Sequence, residues 1–303
     1  MRTLRKIVQL PTLMLALVGS LLLAQSASAE MRVVATTPSL GMLANAVGGE
    51  YVNVRVLAPA DRDVHYLDAR PSYMAAMRRA DLLLEVGAGL EEGWLPAALR
   101  GAANPAINEG RPGHFRAADF LELRESITVS GPNMGHVHAD GNPHFTIDPL
   151  RMGQLGKALA QRMGELNPAQ ADNFARAAEQ LAQQLEQRAE ELATEVAPGQ
   201  HYVAYHEDLD YLSEWLPVEV IGYLEPVPGI PPTARHLREL SERLQGTQGR
   251  VLYALFQPAR GANFLRDQIG WSGHPLPLEP AEATLDSYLE LMAQWAGAFA
   301  DSQ

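Results

Sequence analysis

Nine histidines and no cysteine set the limits of the chemistry this chain can do. Without cysteine there is no disulfide and no thiolate ligand, so imidazole and carboxylate are the leading side-chain donors for a metal. Three of the histidines, His65, His144 and His206, stand out by position. Each follows the end of an expected strand or lies on a connecting loop, and in open α/β sheets such loops converge on one crevice although they are far apart in the chain. Neutral imidazole suits zinc, and copper or nickel would also accept three such donors. A single histidine beside a strand is more often a hydrogen-bonded structural residue than a ligand. Neither HExxH nor CxxC is present, so spacing alone does not define a zinc site.

The elements that would position these residues alternate. Met31–Thr36 reads as a strand, a helix begins near Leu40, and Val52–Val56 is a strand with strict alternation. A helix around Ser72–Arg79 precedes Asp81–Val86, an apolar run of the kind found in a buried parallel strand, and a further helix includes Trp94 and Leu95. From about Ala102 to Asn142 the reading is mostly loop, with one amphipathic stretch near Phe120–Leu123 and a Gly-flanked segment carrying His136 and His138. Asn167-Pro168 opens a long helix with apolar positions Phe174, Ala178, Leu181, Leu185 and Leu192, and Pro198-Gly199 stops it. At about 1.5 Å per residue that helix would reach on the order of 45 Å, the length of a spine between two lobes. Strands Tyr202–Tyr205, Val218–Ile221 and Val251–Leu255 then alternate with helices over Thr233–Leu244 and Thr284–Phe299. The fold class is therefore α/β, two lobes with parallel-type sheets joined by one long rigid helix. The lobes are expected over 30–166, including the His-bearing loop 131–144, and over 198–303, with the helix over 167–197; no internal repeat relates them.

Residues 1–29 read as a cleavable signal peptide. Arg2, Arg5 and Lys6 precede an apolar run from Leu13 to Ala24 and the small-x-small site Ala27-Ser28-Ala29. That run falls short of the roughly 20 apolar residues a membrane span needs, so a soluble exported chain is expected. Absence of cysteine also argues against a lipid anchor on an N-terminal Cys. The formal charge of -12, which becomes more negative once the leader's three cations are removed, argues against nucleic acid or an acidic membrane as partner.

Several motifs, taken in order, resemble the metal-binding solute-binding proteins of ABC importers, the zinc and manganese class of ZnuA and TroA type. Ala35-Thr36-Thr37-Pro38, Asp63-Val64-His65 ahead of Pro71-Ser72, and Arg79-Ala80-Asp81-Leu82 followed by Gly87 resemble the first-lobe pattern. Asn142-Pro143-His144 with Asp148-Pro149 resembles the second-ligand motif, Tyr205-His206 the third, and Glu225-Pro226 followed by Pro232-Thr233-Ala234-Arg235-His236-Leu237 the segment after it. The resemblance spans the mature chain. It implies a periplasmic monomer that captures Zn(II) and delivers it to an importer permease and its ATPase, with a periplasmic zinc chaperone as a candidate donor. It implies metal ligands His65, His144 and His206, with an acidic residue before the last helix as the fourth. Glu279 is the positional counterpart, although an Asp is commoner there, and His274, Glu282, Asp286 or water remain open. His136 and His138 resemble the histidine-bearing loop of the zinc branch and imply an accessory capture role. Asp63, Glu207, Asp208 and Asp148 are candidates to orient an imidazole.

Members of this family with three histidines resemble zinc carriers and those with a carboxylate in the third position manganese carriers, so the resemblance makes His206 point to zinc. Competing readings are another divalent metal, an adhesin whose metal is only structural, and a zinc-dependent hydrolase with Glu279 or Glu207 as general base. The resemblance is to a non-enzymatic family.

Overall fold

The computed structural model describes residues 30–126 and 138–300. The expected leader and His136 therefore lie outside the described residues. The order of elements is β1 Met31–Ala35, α1 Pro38–Gly48, β2 Val52–Val56, α2 Pro71–Met77, β3 Leu82–Glu85, α3 Leu95–Ala102, β4 His114–Arg116, α4 Pro149–Leu166, α5 Ala171–Glu195, β5 Gln200–Ala204, β6 Val218–Tyr223, α6 Ala234–Arg243, β7 Arg250–Ala254, α7 Arg260–Ile269, β8 Ser272–Leu276 and α8 Leu285–Gly297.

Two four-stranded sheets result, ordered β2-β1-β3-β4 and β6-β5-β7-β8. Every pairing within them is parallel, with Val33 opposite Val54 and Leu82 in the first sheet and Val203 opposite Val251 in the second. In both sheets the connections reverse direction around the first strand, so the crevice beyond the carboxyl ends of β1 and β5 is where a ligand site belongs.

Helix starts follow local chemistry. The Thr37 side chain caps α1 by accepting from Leu40 N–H with Pro38 in the first turn, and Asp148 caps α4 by accepting from the Leu150 and Arg151 N–H groups with Pro149 following. Helix α5, the expected spine, is 25 residues long after a 3-10 turn over Pro168–Gln170, and is thus shorter than 167–197 suggested. Its buried stripe is Phe174, Ala178, Leu181, Leu185, Ala189 and Leu192. Helix α4 packs along it, and Gly153 lets the two backbones approach, since an added Cβ would lie 3.1 Å from Ala182 Cα.

One hydrophobic core runs from β1 and β3 (Val33, Leu83) through α4 and α5 (Leu155, Leu181) to the inner face of the second sheet and α8 (Tyr202, Leu252, Trp295). A second, smaller cluster (Val203, Leu237, Val251, Leu265, Trp271) fills the outer face of that sheet. Hydrogen bonds tie the halves together: Tyr288 O–H donates to the Thr146 carbonyl at 2.7 Å, Trp215 Nε1–H to the Ile147 carbonyl at 3.1 Å and Tyr211 O–H to the Asn142 carbonyl at 2.7 Å. Among the described residues no helix is long and apolar enough to cross a membrane.

Candidate metal centre

Two of the histidines are held by the same local device. His65 sits on a 3-10 turn over Val64–Tyr66, and Asp63 Oδ1 accepts from the His65 backbone N–H at 3.0 Å while lying 2.7 Å from its Nδ1. His144 begins the turn over Phe145–Ile147, and Asn142 Oδ1 accepts from the His144 backbone N–H at 2.9 Å while lying 2.8 Å from its Nδ1. In each case an oxygen two residues upstream engages both the backbone and the near ring nitrogen, which turns Nε2 outward. Trp94 Nε1–H, donated to the Val64 carbonyl at 2.9 Å, fixes the first turn to the base of α3.

His206 follows β5, and its Nδ1 lies 2.9 Å from Glu225 Oε2, which also accepts from Gly229 N–H at 2.8 Å. The fourth ring is His138, whose Nδ1 lies 3.1 Å from the Ala88 carbonyl. That carbonyl is presented by a Gly87-Ala88-Gly89 turn in which all three residues have positive φ. An aspartate, an asparagine, a glutamate and a backbone carbonyl thus each take one Nδ1, leaving four Nε2 atoms to converge.

They do converge. One potential ligand atom from each of His65, His138, His144 and His206 lies within 4.8 Å of every other. His144 Nε2 and His206 Nε2 are buried without a hydrogen-bond partner among the described residues. Unsatisfied buried polar atoms are uncommon, and two aimed into one cluster fit a cation. The site opens into a cavity of about 600 Å³ lined by Asp63, His65, His144, His206, Asp208 and Glu279, among others.

The electrostatics divide the rings. Burial pushes the His144 imidazole well below its ordinary pKa, and the charges of its three histidine neighbours add to this, so it is neutral at pH 7. Burial alone would also depress His206, but the Glu225 hydrogen bond and the charges of Asp208, Glu225 and Glu207 overcome it and raise the pKa to about 9. Asp63 is held below the usual carboxylate range because the hydrogen bond and charge of His65 outweigh its burial.

Glu279 lies on the cavity wall outside the histidine cluster. Its Oε2 accepts from the Ser39 N–H at 2.7 Å, beside the start of α1, and burial raises its pKa to about 7 against that hydrogen bond. His138, expected only as an accessory capture residue, is in the cluster itself. His274 is bonded to Ser272 and is not in the cluster, nor are Glu282 and Asp286. Of the candidates to orient an imidazole, Asp63 does so; Asp148 caps α4, Glu207 accepts from Ser126 and Asp208 bonds Gln257. Sequence reasoning missed Glu225 and Asn142 in this role. An Asn-x-His spacing that repeats Asp-x-His was the signal available for Asn142.

Comparison with known proteins bears on the family and the fold. The family described as "Zinc-uptake complex component A periplasmic", ZnuA, matches residues 33–302. The high-affinity zinc uptake system protein ZnuA of Yersinia pestis is 23% identical over 301 residues, covering 92% of this chain and 93% of that protein. A crystal structure of ZnuA superposes with a TM-score of 0.72 at 21% identity, covering 90% of this chain and all of the other. The manganese complex of FpvC from Pseudomonas aeruginosa superposes with a TM-score of 0.72 at 20% identity, over 90% of this chain and 100% of that one. Both structural matches reproduce the two-sheet fold.

Proposed function

The chain belongs to the ZnuA family of periplasmic zinc-uptake components, a family of solute-binding proteins that are not enzymes and work with ABC importers, and from this we propose that it captures Zn(II) in the periplasm and delivers it to such an importer. The histidine cluster binds a divalent metal. The observation that carries the zinc reading is the donor set: four imidazole nitrogens and no sulfur, with every Nδ1 already engaged. Four neutral nitrogens in a closed shell suit tetrahedral zinc, whereas manganese calls for more oxygen. We assign the ligands as His65, His144, His206 and His138, with Glu279 as a carboxylate of the cavity wall. A closed four-ligand shell keeps no open position for a reactive water, which disfavours hydrolysis. Export by a cleaved leader, and His136 as an outer capture residue, complete the proposal.

Isothermal titration of the mature chain should give about one tightly bound zinc per molecule, in line with a single four-ligand site. Near-wild-type affinity after replacing both His65 and His206 with Ala would sink the assignment.

A further inference from the structure

The segment Gly87-Ala88-Gly89-Leu90-Glu91 turns back on itself directly after β3. Its first three residues all have positive φ, which Ala88 adopts at a cost of about 1–3 kcal/mol, so the surroundings must hold the turn in place.

The last residue of the segment supplies that hold. Glu91 is only 3% exposed. Its Oε1 accepts from the Val86 N–H at 2.8 Å and from the Thr36 O–H at 2.6 Å, and its Oε2 accepts from the Gly87 N–H at 3.1 Å. Val86 and Thr36 follow the carboxyl ends of β3 and β1, so one side chain ties the turn to both strands. Burial and the nearby Glu85 raise the Glu91 pKa to about 7. The brace does not depend on its charge, because each bond uses an oxygen lone pair that a protonated carboxyl retains.

The turn meets the histidine cluster at one ring. The Ala88 carbonyl lies 3.1 Å from His138 Nδ1, and a Cβ added to Gly89 would lie 3.5 Å from the same atom. A carbonyl can only accept, so it selects the tautomer with hydrogen on Nδ1 and leaves the Nε2 lone pair for a metal.

We infer that Glu91 is a positioning residue for metal capture, acting through His138 by holding the turn whose Ala88 carbonyl orients that ring. The inference rests on the metal-capture reading and the assignment of His138 above. Its signature is conditional: the effect of Glu91 on metal affinity should vanish when His138 is absent. A merely structural role predicts otherwise. Trp94, whose Nε1–H fixes the turn that carries His65, lies three residues beyond Glu91, and a disturbance spreading that way would persist without His138.

The test is a double-mutant cycle on the full mature chain, with zinc affinity measured by competition against a chelator at one pH. Glu91→Gln keeps the size of the side chain and an oxygen for Thr36 and Val86, and sets an amide donor against the Gly87 N–H. In the wild-type chain it should lower zinc affinity roughly 10-fold, the low end for groups behind a metal's ligands. In the His138→Ala chain it should cost less than about 2-fold. Thr36→Val, which removes one of the three bonds, should show a smaller loss with the same dependence on His138, and serves if Glu91→Gln fails to fold. Equal losses in both backgrounds, or no loss in either, would overturn the role of Glu91. Unchanged affinity in His138→Ala alone would remove that histidine from the site and this inference with it, leaving metal capture in place. A wild-type chain that binds no zinc would overturn the metal-capture reading itself.

Discussion

His65 Nε2 and His138 Nε2 lie 3.2 Å apart, although 73 residues separate them. Tetrahedral ligands at the usual zinc–nitrogen distance are themselves separated by roughly 3.3–3.4 Å. Two bare imidazole lone pairs at this distance repel, so a proton or a metal ion has to lie between them. His138 is thus placed as a ligand would be.

Replacing His138 with Ala should lower zinc affinity by roughly 100-fold or more, beyond the 10–100-fold typical of groups behind the ligands. Glu279→Gln, which keeps an acceptor for Ser39, should cost less than that. Competition titration against a zinc chelator measures both. A larger effect at Glu279 than at His138 would return the fourth position to the carboxylate.

A metal ion bound by His206 has to displace the proton on its ring. With the pKa raised to about 9, this ring is protonated at pH 7, so zinc affinity should rise with pH until about 9, with close to one proton released per zinc from this residue. Neutral His144 adds none. The stability of the metal-free protein should run the other way. A histidine whose pKa is higher folded than unfolded contributes stability that is complete below about 6.5 and is lost as pH rises through its folded value. Between pH 7 and 9 the metal-free melting temperature should fall while the increment from zinc grows. Glu225→Gln should flatten both trends, and calorimetry with and without zinc would show it.

Gly141 holds the turn between His138 and His144 at φ +109°, and a Cβ there would meet Leu123 Cβ at 2.8 Å. Gly141→Ala should therefore cost about 1–3 kcal/mol of stability and weaken zinc binding, because both histidines depend on that turn. Chemical denaturation and titration on the same sample would check this. Unchanged values for both would mean that the turn relaxes freely.

Hydrogen bonds from Tyr288 and Trp215 to the Thr146 and Ile147 carbonyls, together with the continuous core, oppose wide opening of the two halves. Metal-free and zinc-bound protein should therefore give superimposable small-angle scattering curves, with the changes in hydrogen exchange confined to the site loops. Tyr288→Phe, which leaves the Thr146 carbonyl unpaired in the core, should cost about 1–3 kcal/mol. A large rigid-body rotation on zinc release would contradict this.

Much of the scaffold was legible because its signals are local. Alternation in Val52–Val56, the apolar run Leu82–Glu85 and the stripe along α5 each reflect burial by one neighbour of known kind. Helix α4 escaped notice because its small residues, Gly153 and Gly156 among them, blur the apolar face that packs on α5. Strand β4 has only three residues and lay within what read as loop. Strand β8 was not expected because Gly273 and Pro275 are poor strand formers, which are tolerated where the strand lies at the edge of its sheet beside β7. His65 and His206 were visible by their place after strands and His144 by its place after a loop. The place of His138 in the cluster was not, because it depends on a carbonyl at Ala88, fifty residues away, that no spacing rule reaches.

Every group that touches the proposed cargo, or steadies a group that does, is built from nitrogen and oxygen, and the chain has no cysteine. Peroxide and disulfide exchange, which disarm thiolate metal sites, have no sulfur to attack in this grip. The site should load and unload alike in oxidising and reducing surroundings.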